Sequence, residues 1–278
     1  AGDKAGEKGL TRDGDAMLRL VGDLRAAKPD IYINQTTGTW PSPFWLCFVD
    51  STYRGGADHD FAGKGTPRQQ WVTYRDSQTY QNVVLRGPLY PLNSLMLHGI
   101  VFAKNAVELD RTDDQDFADE VHCFFGTGTQ LQELYLTPSL LDEKNWNDLA
   151  EAANWSRANA DVLVDTHWIG GNPDKGDIYG WASWSPRKGF IVLRNPDDKT
   201  KQFIANVADI LELPADAEKT YLATPVWKTP DRASALKLKA GEPHVFALQP
   251  FEVAVFELTP DSQLLRSTAS AVIGPIQQ

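Results

Sequence analysis

Hydrophobic and polar positions along this chain follow two rhythms. Met17, Leu20, Val21 and Leu24 recur at helical spacing and predict an amphipathic helix over 14–27, which Pro29 closes. Asp30-Ile31-Tyr32-Ile33-Asn34 reads as a short buried strand, and Leu46 to Val49 as a second that carries Asp50 at its C-terminal end. Residues 73–86 read as a helix with Tyr80, Val83 and Val84 on one side, and Asn93 to Ile100 as a third strand. Thr112 and Gln115 form a capping-box pattern that opens a helix running to about Phe125. Leu131 to Leu136 is a fourth strand, and 142–159 a helix with Trp146, Leu149, Ala150 and Ala153 on one face. Strands alternating with helices predict a parallel α/β arrangement. About four such units fit before residue 165, half of what a complete eight-unit barrel needs.

After residue 175 the rhythm changes. Ile178–Trp184, Gly189–Arg194, Gln202–Val207, Lys219–Thr224, Ala235–Leu238, Val245–Leu248 and Glu252–Leu258 are short apolar runs separated by Pro, Gly and Asp turns. They predict an antiparallel β-sandwich. The expected fold is α/β, a partial TIM-type barrel over 1–172, followed by an all-β sandwich over 173–260 and a poorly ordered tail over 261–278. The stretch Asp165 to Gly171 reads as the joint between them. The opening AGDKAGEKG is polar and Gly-rich and reads as a loop or an excised boundary.

Composition narrows the partners. The hydrophobic share of 42% and charged share of 23% are those of a globular protein. A net charge of −10 and the lack of a basic stripe argue against nucleic acid. No apolar run approaches a membrane span, so no membrane partner is expected. The two cysteines, Cys47 and Cys123, read as buried free thiols. The five histidines are scattered and give no metal-ligand spacing. There is no phosphate-cradling loop, dinucleotide fingerprint or nucleophile elbow, and no cofactor is expected.

The densest chemistry lies in Trp40 to His59, where Asp50, Arg54, two glycines, Asp58 and His59 follow a Trp-rich approach. Carboxylates among tryptophans suit sugar cleavage: acids for the chemistry, and flat apolar faces for the C–H faces of sugar rings. Asp50 is the candidate acid. Its alternatives are an N-cap or a salt bridge to Arg54. Asp58 is a candidate hydroxyl acceptor or competing acid, with a turn-stabilising role as its alternative. Asn34, Trp40, Trp45, Arg54, His59 and His98 are candidate substrate contacts, although a loop histidine such as His59 is usually surface and His98 could be a satisfied core histidine.

The runs INQTTGTWPSPFWLCFVDSTYRGGADH, RQQWVTYRD, GPLYPLNSLMLHGI and FFGTGTQLQELYLTPSLL resemble bacterial proteins of the α-galactosidase (melibiase-like) clan, some of them labelled enterotoxins. The resemblance covers roughly residues 15–258. It implies a catalytic barrel with a C-terminal antiparallel β domain, a retaining glycosidase mechanism with two aspartates, a carbohydrate substrate, and a secreted or periplasmic setting. Phe48-Val49-Asp50 matches the Phe-Ala-Asp-like context of the family's acid/base, which puts that role on Asp50. The family's nucleophile follows the fourth strand in a Lys-x-Asp setting. None occurs on a strand here before residue 31, so an upstream segment or a second chain is expected to complete the barrel. The alternative expectation is a carbohydrate-binding or structural module without catalysis.

Overall fold

The computed structural model describes residues 6–36, 41–87, 89–229 and 232–262. Its first part alternates helices with short parallel strands. Helix α1 (Gly6–Ala27) is followed by β1 (Asn34–Gln35), β2 (Ser51–Tyr53), α2 (Pro67–Thr79), β3 (Leu95–Met96), β4 (Ile100–Phe102), α3 (Asp114–Gly126), β5 (Leu134–Leu136), α4 (Glu143–Ala158) and α5 (Ala160–Leu163). β1, β2 and β3 pair in parallel, with Asn34 opposite Ser51 and Tyr53 opposite Met96. β4 and β5 pair in parallel, Val101 opposite Tyr135.

Several elements depart from the sequence expectation. Only Asn34 and Gln35 of the first expected strand region form a ladder. The run before Asp50 is a 3₁₀ helix, Pro43–Cys47, because Ser42 accepts a hydrogen bond from the Phe44 amide and Pro43 presets the first turn. The strand begins at Ser51, so Asp50 stands before a strand rather than at the end of one. The third expected strand is split, because His98 adopts a left-handed backbone at φ 64° between β3 and β4. α2 starts earlier than expected, capped by Thr66, and runs on as a π-helical turn over Tyr80–Val84. Asp113 rather than Thr112 caps α3 through the Asp116 amide. α4 carries a full capping box between Asp142 and Asn145.

The second part comprises β6 (His167–Gly170), β7 (Tyr179–Trp184), β8 (Gly189–Arg194), β9 (Lys201–Asn206), α6 (Val207–Ile210), β10 (Thr220–Pro225), β11 (Leu236–Lys239), β12 (Pro243–Leu248) and β13 (Val253–Pro260). Six strands form one antiparallel sheet in the order β11-β10-β13-β8-β7-β6, and β9 pairs with β12. The expected joint at 167–170 is thus the edge strand of this sheet. Every residue of β8 is buried, which its unbroken apolar run Phe190-Ile191-Val192-Leu193 anticipates. Ile191 and Leu193 pack with Phe246 and Phe256, while Val192 joins Trp71, Phe117 and Phe124 of the helical part. One continuous core therefore runs from the parallel strands through α2 and α3 into the antiparallel sheet. The residues from 263 lie outside the described set, and no helix among the described residues is long and apolar enough to cross a membrane.

Candidate functional site

A parallel strand arrangement has two chemically different ends, and the candidate residues divide between them. Asp50 lies at the end where strands begin. Its backbone carbonyl accepts from Gln130, which also reaches Ser94; these two residues stand just ahead of β5 and β3. The Asp50 carboxylate accepts from Arg25 at 2.8 Å and from the Ile33 amide at 2.7 Å. Both side chains of that ion pair are about a third exposed. The expected partner Arg54 is not among these contacts. Asp50 therefore anchors α1 and the β1 approach onto the start of β2.

Arg54 lies past the other end of β2 and is fully buried. Its backbone amide donates to Met96 O, its Nε to Leu97 O, and its two terminal nitrogens to Gly55 O and Ala57 O. One guanidinium thus fixes the turn that follows it. Tyr53 Oη donates to Ala57 O at 2.9 Å and Tyr74 Oη accepts from the Ala57 amide at 2.9 Å. Gly56 takes φ +84°, a conformation L side chains rarely adopt. Asp58 and His59 project, exposed, from the rim of this locked turn.

The strand break places His98 in the same region. Its ring lies 4.5 Å from Tyr135 and 6.3 Å from both Tyr53 and Trp71, centroid to centroid. Its Nδ1 is 3.6 Å from Glu133 Oε2, and Tyr135 Oη donates to Glu133 Oε1 at 2.7 Å. Gly99 permits this arrangement, because a Cβ there would lie 1.4 Å from the Glu133 carbonyl oxygen. The electrostatics tie these groups together. Burial lowers the His98 imidazole, which the Asp58 charge opposes. Burial raises the Glu133 carboxyl, reinforced by Asp58 although the Tyr135 hydroxyl works against it. Burial pushes Tyr53 and Tyr135 up to about 12. At neutral pH the cluster is a neutral imidazole and two neutral phenols beside carboxyl groups, a set able to donate and accept hydrogen bonds.

The structure brings Arg54, Asp58 and His98 together and keeps Asp50 apart from them. His59 sits beside Phe61 at 6.0 Å, edge to face. Asn34 is engaged at the strand level, accepting from Ser51 Oγ and donating to Met96 Sδ. Trp45 is half buried in the 3₁₀ helix against Phe44. Trp40 lies outside the described residues. Glu133, Tyr135, Tyr53 and Tyr74 were not singled out from sequence. The alternation Glu133-Leu134-Tyr135 carried the signal, since it puts a carboxylate just ahead of β5 on the same side as the phenol within it. Cys123 is buried as expected, but Cys47 is exposed on the 3₁₀ helix. Among the described residues no group of His, Cys, Asp and Glu side chains could hold a metal ion.

No protein-family model matches the chain, and no curated protein sequence matches it. Solved structures do match in fold. α-Galactosidase I from Mortierella vinacea is 12% identical with a TM-score of 0.54, over 81% of this chain and 57% of that one. The α-galactosidase from Saccharomyces cerevisiae with raffinose is 10% identical with a TM-score of 0.53, over 81% and 64%. The α-amylase from Geobacillus thermoleovorans, complexed with acarbose, is 10% identical with a TM-score of 0.54, over 88% and 57%. The chain therefore has a glycoside hydrolase fold and spans less than two thirds of the length of each of these proteins. α-Galactosidases and α-amylases match equally well, so the fold does not choose between them.

Proposed function

We propose that the chain is the C-terminal part of a retaining, α-galactosidase-like glycoside hydrolase, with Asp58 rather than Asp50 as its general acid/base. The observation that carries this reading is the buried Arg54, whose guanidinium fixes the Gly55–Ala57 turn and so holds Asp58 at the strand-exit end beside His98. Barrel enzymes place catalytic groups at the end where strands exit into loops, and Asp50 stands at the other end. The substrate class comes from the resemblance and the fold neighbours together. The parallel strands would form part of a (β/α)₈-type wall, and the antiparallel strands a sandwich beginning ahead of β6.

In double displacement, Asp58 would protonate the leaving oxygen while a second carboxylate attacks the anomeric carbon; Asp58 would then activate water. Strands from an upstream segment or a second chain would complete the wall and supply that nucleophile. Tyr53, His98 and Tyr135 would supply hydrogen bonds and flat surface to the sugar. Arg54 acts as a positioning residue. The test compares Asp58→Asn with Asp50→Asn in the complete assembly, with the strands that supply the nucleophile present, on an alkyl α-galactoside. The expected outcome is a kcat loss of roughly 10²–10⁴-fold for Asp58→Asn, with Asp50→Asn retaining turnover. Equal loss in both, or loss only in Asp50→Asn, would overturn the assignment. A complete assembly that binds the sugar without turning it over would favour the second reading, a carbohydrate-binding module.

A further inference from the structure

A second cleft, of about 460 Å³, opens between α3, α4 and the turn that follows β10. Its volume falls within the range of about 300–1,000 Å³ usual for small-molecule sites. Two polar ladders face it. Gln115, Asp119 and His122 on α3, and Lys144, Asp148 and Glu151 on α4, each follow i, i+4, i+7 spacing and so share one helix face. Trp227 stands between them, at the end of the sheet. Its ring stacks on His122 at 3.9 Å with 12° between planes, and Trp155 meets it edge-on at 5.1 Å. The backbone beneath is fixed by the Val226 amide donating to Val255 O.

These groups form a wall of two stacked rings above an apolar floor, with hydrogen-bonding side chains along both sides. The Trp227 Nε1 is buried with no hydrogen-bond partner among the described residues, a condition it shares with Trp155 and Trp168. The Asp119 carboxylate takes one hydrogen bond, from Gln115 at 2.8 Å, leaving acceptor capacity open. Lys144 and Asp148 pair with each other at 2.9 Å. Burial makes the His122 imidazole neutral, down at about 3, and lifts the Asp119 carboxyl to about 7. The fixed charges of the lining, Lys144 and Lys228 against Asp148 and Glu151, offset one another, so a strongly charged ligand would gain little from it. A neutral ligand with one apolar face and a ring of hydroxyls would use all of it.

We propose that this cleft is a second carbohydrate-binding site, seating one hexose unit with its apolar face on the Trp227–His122 wall and its hydroxyls on Asp119 and Glu151. The proposal stands on this geometry and not on the reading of the Asp58 region. The experiment is saturation-transfer NMR of the full chain titrated with D-galactose and with D-glucose, on wild type, Trp227→Leu, Asp119→Asn, Glu151→Ala and Asp58→Asn. Saturable binding that survives Asp58→Asn and weakens at least 10-fold in Trp227→Leu is the expected result. If Trp227→Leu does not fold, the near-isosteric Asp119→Asn and the exposed-face Glu151→Ala carry the test, each weakening binding at least threefold. No saturable binding by wild type, or binding that the cleft variants leave unchanged, would overturn the proposal. Loss in Asp58→Asn alone would place the sugar at the first site and overturn it equally, while leaving the reading of that site intact.

Discussion

At the residue scale the account turns on two aspartates eight positions apart. Each meets an arginine in a different way. Arg25 pairs directly with Asp50 at 2.8 Å, whereas Arg54 spends its hydrogen bonds on backbone carbonyls and leaves Asp58 outside the pairing. Asp50→Ala is expected to cost stability, about 1–3 kcal/mol for the lost charge-assisted bonds to Arg25 and Ile33, measured by urea unfolding. A change under 0.5 kcal/mol would contradict the anchoring role. Asp119 makes a separate, pH-resolved prediction. Its folded-state value of about 7 lies above the usual 3.8, chiefly through burial. The folded state therefore keeps a proton that the unfolded chain has lost, and this group's contribution to stability falls as pH rises from about 4 to 7. Asp119→Asn should match wild type near pH 4 and exceed it by about 4 kcal/mol at pH 8, the free-energy equivalent of that shift. A difference that does not vary with pH would refute the burial of this carboxyl.

The elements explain why some of the site was legible and some was not. α3, α4 and the antiparallel strands followed their patterns closely: β8 falls on 189–194 as expected, and α4 starts one residue after its Asp142 cap; α1 and α2 instead begin well ahead of their expected starts, α1 inside the opening stretch read as a loop. The parallel strands did not follow theirs, because they are two or three residues long and an apolar run of that length fits a strand or a helical turn equally well. Leu46 to Val49 was such a run. The deciding signal was upstream, in Ser42-Pro43, a cap followed by a helix-starting proline. Misplacing that element by a few residues moved Asp50 from one end of the sheet to the other. The Arg54-Gly55-Gly56 turn and Asp58 were visible as chemistry, but their shared architecture was not, since it rests on Tyr74 from α2 and Leu97 from β3's exit. The His98 kink was hidden too; its sequence marker is the following Gly99. Gly99→Ala should destabilise by more than about 4 kcal/mol, because backbone rather than a movable side chain occupies the Cβ position. Near-normal stability of that variant would mean the β4–β5 approach is looser than described.

At the scale of the whole molecule, the parallel and antiparallel parts are joined by a buried polar network as well as by the shared core. Arg194 of β8 donates to Thr73 Oγ1, to Gln69 O and Oε1, and to Tyr179 Oη, and Tyr179 in turn donates to Asp76 Oδ2 at 2.7 Å. Asp76 is paired with Arg75 at 2.8 Å. Removing one partner from such a network leaves the others buried and unsatisfied, so Arg194→Ala should cost about 3–5 kcal/mol. The two parts should also unfold together, giving coincident transitions by far-UV circular dichroism and tryptophan fluorescence; separated transitions would show that the parts fold independently. The same rigid junction carries α2, and with it Tyr74, against the turn that presents Asp58, so stability and site geometry share one framework. Asp58 is assigned the delivery of the proton to the departing oxygen. That role is tested most directly by following Asp58→Asn and Asp50→Asn on two α-galactosides, one with an alkyl leaving group and one with a dinitrophenyl group that departs without a proton. Asp58→Asn is expected to lose roughly 10²–10⁴-fold in kcat/KM on the first and far less on the second, where kcat falls instead because water is no longer activated, while Asp50→Asn treats both like wild type. The leaving-group pattern appearing in Asp50→Asn instead, or no turnover of either substrate by the complete wild-type assembly that includes the nucleophile strands, would contradict it.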